Sequence, residues 1–68
     1  MVSPKYFQEL LSKKGVSTRI WKTFERGSIL YVYLSNETLS YTSTDISKMS
    51  ITEAKLLAYE LSLINLFN

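Results

Sequence analysis

The chain contains no cysteine and no histidine. Without cysteine there is no disulfide framework and no thiolate nucleophile, a usage that fits a reducing compartment. Without either residue, zinc sites of the usual kinds and nucleophile–base pairs built on imidazole are excluded. Acidic residues are few and dispersed: Glu9, Glu25, Glu37, Asp45, Glu53 and Glu60 stand singly along the chain. That spacing does not suggest the paired carboxylates of general acid–base catalysis, so the expectation is a protein without enzymatic activity, cofactor or metal. Apolar runs are short as well. The longest, Leu61 to Phe67, is broken by Ser62 and Asn65 and falls far below the roughly 20 residues a membrane-spanning helix needs. The opening residues carry no signal-peptide pattern, so the expected compartment is the cytoplasm or nucleus, with no membrane partner.

What is present is enough for one small globular domain spanning residues 1–68. Hydrophobic residues make up 46% of the chain, which argues against disorder. A domain of this size buries only about 60% of its unfolded surface, so a partner that binds the folded form adds stability. Eight Lys and Arg against six Asp and Glu give a net charge of +2. The cations are scattered, and Lys13–Lys14 is the one adjacent pair. Nucleic-acid binders concentrate basic residues, because counterion release from phosphates supplies most of their affinity.

Element signals are clear at both ends. Ser3 can cap a helix and Pro4 suits its first turn. Phe7, Leu10 and Leu11 share one face, and Gly15 follows Lys13–Lys14 as a stop. Three strands are expected next. Ser17 to Glu25 is rich in β-branched and aromatic residues, Arg26-Gly27-Ser28 forms a turn, and Ile29 to Leu34 is the second strand. Asn36-Glu37 serves as a second turn before a more polar strand, Thr38-Leu39-Ser40-Tyr41-Thr42, which suits a sheet edge. Residues Ser43 to Met49 read as a linker. Ser50-Ile51-Thr52-Glu53 is a capping box opening a helix that runs to about Phe67. The expected architecture is α+β in the order αβββα, with two helices on one face of a three-stranded antiparallel sheet.

That order and length resemble the double-stranded-RNA-binding domain family. In the C-terminal helix, Glu53-Ala54-Lys55, Ala58 and Leu61 fall where members often carry the same residue types. Pro4 and Glu9 in the first helix and Ile20 in the first strand also fit. The resemblance implies duplex recognition at three places: the first helix, a loop between the first two strands, and lysines opening the last helix. Lys5, Gln8 and Glu9 are the first-helix residues that would reach a groove, although polar residues on an exposed helix also need no function. The loop is too short and lacks the Gly-Pro and His of the family. Ile51 and Thr52 stand where the family has paired lysines, leaving Lys55 and the linker residue Lys48. Losing two or three phosphate contacts lowers affinity steeply at physiological salt.

Apolar residues exceed what one domain core requires. The C-terminal helix carries an expected core stripe of Ala54, Leu57, Ala58, Leu61 and Ile64 or Asn65. It also carries a second stripe of Leu56, Tyr59, Leu63 and Phe67. One amphipathic helix on a sheet needs only one stripe. The second stripe either folds over the core rim or forms an interface. Strand alternation directs Leu30, Val32 and Leu34 inward, and Ile29, Tyr31, Tyr33 and Trp21 outward. The outward aromatics serve either as cross-strand sheet stabilisers or as a partner patch. The third strand has no Pro or Lys to guard its edge, so Thr38 to Thr42 can accept another strand.

This pattern is similar to the third, dimerising domains of Dicer-partner proteins. By location, the likeness implies an interface at Thr38, Leu39, Ser40, Tyr41 and Thr42 with Leu56, Tyr59, Leu63 and Phe67 beside it. The leading expectation is therefore a protein-interaction module whose partner is itself or a Dicer-like or other RNA-processing protein, with little duplex RNA binding. Two alternatives stand beside it. One is a weak, shape-reading duplex RNA binder using Lys5, Lys48, Lys55 and the first helix. The other is a small α+β regulator unrelated to the family.

Overall fold

A computed structural model of the chain describes residues 2–25 and 27–67. Arg26, expected in the first turn, lies outside the described residues, as do Met1 and Asn68. The order is α1 (Pro4–Lys13), β1 (Ser17–Thr23), β2 (Gly27–Tyr33), β3 (Thr38–Thr42), α2 (Ser43–Ser47) and α3 (Ile51–Phe67). The strands form one antiparallel sheet in the order β1-β2-β3. The expected α+β architecture is present, with one helix more than the sequence suggested.

Both ends of α1 follow from local chemistry. The Ser3 hydroxyl accepts from the Tyr6 N–H at 3.1 Å, satisfying one of the free donors of the first turn. Val2, just before the cap, and Phe7, one turn inside, are both buried, as in a hydrophobic staple. At the other end Gly15 takes φ +76°. The Val16 N–H bonds to the Leu11 carbonyl and the Gly15 N–H to the Ser12 carbonyl, each at 3.0 Å. That pair is a Schellman closure, and buried Leu11 and Val16 supply its apolar contact.

The segment expected to be a linker contains α2. Thr42 and Asp45 form a capping box: the Asp45 N–H donates to Thr42 Oγ1 and the Thr42 N–H to Asp45 Oδ2, both at 3.1 Å. The Thr42 N–H foremost, and then the Thr42 hydroxyl, favour the charged form and hold the Asp45 carboxyl below the usual carboxylate range. The helix delivers Ile46, fully buried, into the core. The box expected at the start of α3 is present, with Glu53 N–H to Ser50 Oγ at 3.0 Å and Ser50 N–H to Glu53 Oε1 at 3.1 Å.

Several boundaries differ from the sequence reading. Strand β1 ends at Thr23 rather than Glu25, leaving Phe24 fully exposed. Strand β2 starts at Gly27, whose φ of +75° provides the left-handed turn residue, with Thr23 Oγ1 donating to its carbonyl at 2.7 Å. Leu34 N–H donates to the Glu37 carbonyl at 2.9 Å, so the second turn is centred on Ser35-Asn36 and not on Asn36-Glu37.

The core lies between the sheet and the helices. Phe7 and Leu11 from α1, Leu30 and Val32 from β2, Ile46 from α2, and Ala54, Ala58 and Leu61 from α3 are buried. Phe7 meets Tyr41 edge-to-face at 5.8 Å, a favoured aromatic geometry. Among the described residues no polar or charged residue is buried. The core is held by apolar packing alone.

Candidate functional site

The surface that sets this molecule apart is the side of α3 away from the core. Successive helical residues turn by about 100°, so Ala54, Ala58 and Leu61 mark one side, and all three are buried. Leu56, Tyr59, Leu63, Leu66 and Phe67 fall on the opposite side. Four of these keep much of their surface in solvent: Leu56 57%, Tyr59 51%, Leu66 74% and Phe67 80%. Leu63 is half-buried. The rim reading of this stripe therefore fails for Leu56 and Phe67. Leu66, which the sequence reading left out, belongs to the stripe. Its spacing of seven from Tyr59 was the available signal. The Lys14 ammonium lies 5.6 Å from the centroid of the Tyr59 ring, so a cation borders the patch.

On the inward side, Ile64 is exposed while Asn65 faces the sheet. The Asn65 side-chain oxygen accepts from the Ser35 N–H at 2.8 Å, and the Ser35 hydroxyl donates to the Asn65 carbonyl at 3.3 Å. These bonds tie the end of α3 to the turn between β2 and β3.

The β3 edge contributes less than the sequence implied. Leu39 and Tyr41 point inward and pack on the core. Burial, with Glu37 nearby, pushes the Tyr41 phenol up. Thr38, Ser40 and Thr42 are the exposed side chains of the strand. The Leu34–Glu37 bond fixes the ladder phase, and alternation then directs the main-chain groups of Thr38, Ser40 and Thr42 to the free edge. The Thr42 N–H is already taken by Asp45, so α2 blocks one end of an edge that lacks Pro and Lys. Helix α3 packs chiefly along α1 rather than along β3.

The outer sheet face carries Trp21, 55% exposed, and Tyr33, also exposed, with Tyr31 half-buried. Trp21 pairs with Ile29, Arg19 with Tyr31 and Ser17 with Tyr33, so no two of the aromatics are direct cross-strand partners, while Trp21 lies diagonal to Tyr31 and the two tyrosines neighbour each other along β2. The residues expected to touch RNA divide into two groups. Lys5, Gln8 and Glu9 line an open depression of about 580 Å³ between α1 and β1, together with Ser12 and the Gly15–Thr18 segment. Lys48 and Lys55 are exposed, near the α2–α3 junction and outside that depression. Among the described residues no cluster of acidic side chains could hold a metal, and no helix is long and apolar enough to cross a membrane. No family model, curated protein or solved structure matches the chain.

Proposed function

We propose that this chain is a protein-interaction module of the double-stranded-RNA-binding type, that it has given up most duplex contacts, and that its partner is a second copy of itself. The setting proposed is an RNA-silencing or RNA-processing protein. One observation carries the reading: α3 is apolar on the side buried in its own core and again on the side facing solvent. A solitary soluble helix keeps its outer side polar, and contiguous exposed apolar surface marks an interaction site. Aromatic anchors such as Tyr59 and Phe67 are the residues that dominate interface energetics.

The loss of duplex recognition is supported by the charge pattern. Ile51 and Thr52, both exposed, open α3 where the family carries lysines, and Glu53 beside them is committed to the capping box. The β1–β2 connection spans residues 24–26, too short to reach a second groove. A duplex-binding reading has one specific observation in its favour, the gathering of Lys5, Gln8 and Glu9 around the depression beside α1. One cation there releases few counterions, so that reading ranks second.

Molar mass by light scattering between low and high micromolar concentration, with a duplex RNA titration at two salt concentrations, tests both readings. The expected outcome is a concentration-dependent dimer and no salt-sensitive RNA shift. A monomer throughout, with RNA binding that Lys48→Ala/Lys55→Ala removes, overturns the first reading in favour of the second.

A further inference from the structure

The outer side of α3 has a heptad register. Leu56 and Leu63 fall at a positions, Tyr59 and Leu66 at d positions, Lys55 at a g position and Glu60 at an e position. All of these except half-buried Leu63 are exposed. We infer that two copies of this chain pair through α3 in parallel and in register, around a two-fold axis running along the helices. The inference rests on the self-association proposed above and specifies its geometry.

The orientation follows from charge. In a parallel pair, each g residue lies beside the e residue five positions further along the other helix. Lys55 of each copy thus meets Glu60 of the other, giving two symmetry-related pairs of opposite sign. In an antiparallel pair each flank meets its own kind, placing Lys55 near Lys55 and Glu60 near Glu60. An antiparallel two-fold pair sets a against d, whereas in a parallel in-register pair the apolar layers stack a on a and d on d. Leu56 and Leu63 then pack on their own copies, as do Tyr59 and Leu66.

The seam spans two heptads, whereas free-standing coiled coils use at least three or four. Here α3 is already folded against its own domain by Ala54, Ala58 and Leu61, so pairing does not bear the cost of ordering the helix. The chain contains no native cysteine, which permits a direct test by single-cysteine oxidation of the full chain. Leu56→Cys and Leu66→Cys sit at opposite ends of the seam and are exposed, so both substitutions should leave the fold intact. Ser40→Cys marks the centre of the β3 edge.

The expected result is that Leu56→Cys and Leu66→Cys each form a disulfide-linked dimer alone, while Ser40→Cys does not. Lys55→Glu should weaken the dimer about fivefold to tenfold, and the double variant Lys55→Glu/Glu60→Lys should restore it. Cross-linking only when the two α3 variants are mixed means antiparallel pairing and overturns the inference. So does cross-linking at Ser40→Cys alone, which would leave self-association standing through β3. A monomer at every concentration overturns this inference and the self-association reading together.

Discussion

The two long helices, α1 and α3, draw on the same core in opposite ways. On α1, Phe7 and Leu11 are buried and Lys5, Glu9, Ser12 and Lys13 face solvent. On α3 the buried side uses small residues, Ala54 and Ala58 with Leu61, while larger side chains stand outside. The first helix is complete within one molecule. The second keeps its bulk for a surface the single domain does not cover. Burial in the monomer and hydrophobicity are thus separable, and α3 is where they part.

The most damaging substitutions are those in the buried face of α1. A 68-residue domain has a stability on the order of 3–10 kcal/mol. Phe7→Ala, which also removes the contact with Tyr41, should cost about 3–5 kcal/mol, read as a collapse of the urea midpoint. Leu61→Ala on the inward side of α3 should cost about 2–5 kcal/mol in the same measurement. Leu66→Asp, on the outer side and 74% exposed, should change monomer stability by no more than about 1 kcal/mol yet weaken self-association more than tenfold by sedimentation equilibrium. If it instead unfolds the domain, the two sides of α3 are not distinct.

Smaller effects sharpen the picture. Thr42→Ala should cost about 1 kcal/mol by removing a cap acceptor, seen as a shift in thermal midpoint. Asp45→Ala, which removes the acceptor of the Thr42 N–H, should free the end of the β3 edge, so any gain in aggregation would show that the carboxylate guards that edge. The Asp45 carboxyl is lowered on folding, so its contribution is present above the unfolded value. It is lost as pH falls through the folded value, and Asp45→Asn should flatten that acid limb of stability. Tyr41 has the opposite sign. Its phenol is raised on folding, so stability holds below the unfolded value and declines as pH rises above it. Tyr41→Phe should remove that alkaline decline. The smallest effect belongs to α1's outer side: Lys5→Ala and Glu9→Ala should each stay within about 0.5 kcal/mol and leave self-association unchanged.

Much of this organisation was readable in the sequence. Ser3, Gly15 and the Ser50–Glu53 box act through neighbours a few residues away, so their signals are local and they work as expected. Strand alternation placed Leu30, Val32 and Leu34 inward, because a period of two leaves little freedom once one face is covered. Helix α2 escaped notice because five residues with one buried apolar side chain, Ile46, have no periodicity to detect. The Thr42-x-x-Asp45 cap was its only mark. Phe24 misled the end of β1, since aromatic β-propensity describes a pleated, half-buried position and Phe24 is not in one. The site was half legible: the second stripe on α3 was visible in its spacing. That α3 packs chiefly along α1 depends on tertiary placement, which no local pattern encodes.

The proposed meeting place of two molecules is the solvent side of α3. Amide chemical shifts recorded across a hundredfold dilution test it without any substitution. Shifts that move with concentration are expected at Leu56, Tyr59, Leu63, Leu66 and Phe67, and constant shifts at Thr38 and Ser40. Concentration dependence confined to β3, or none anywhere while the protein stays monomeric, would contradict it.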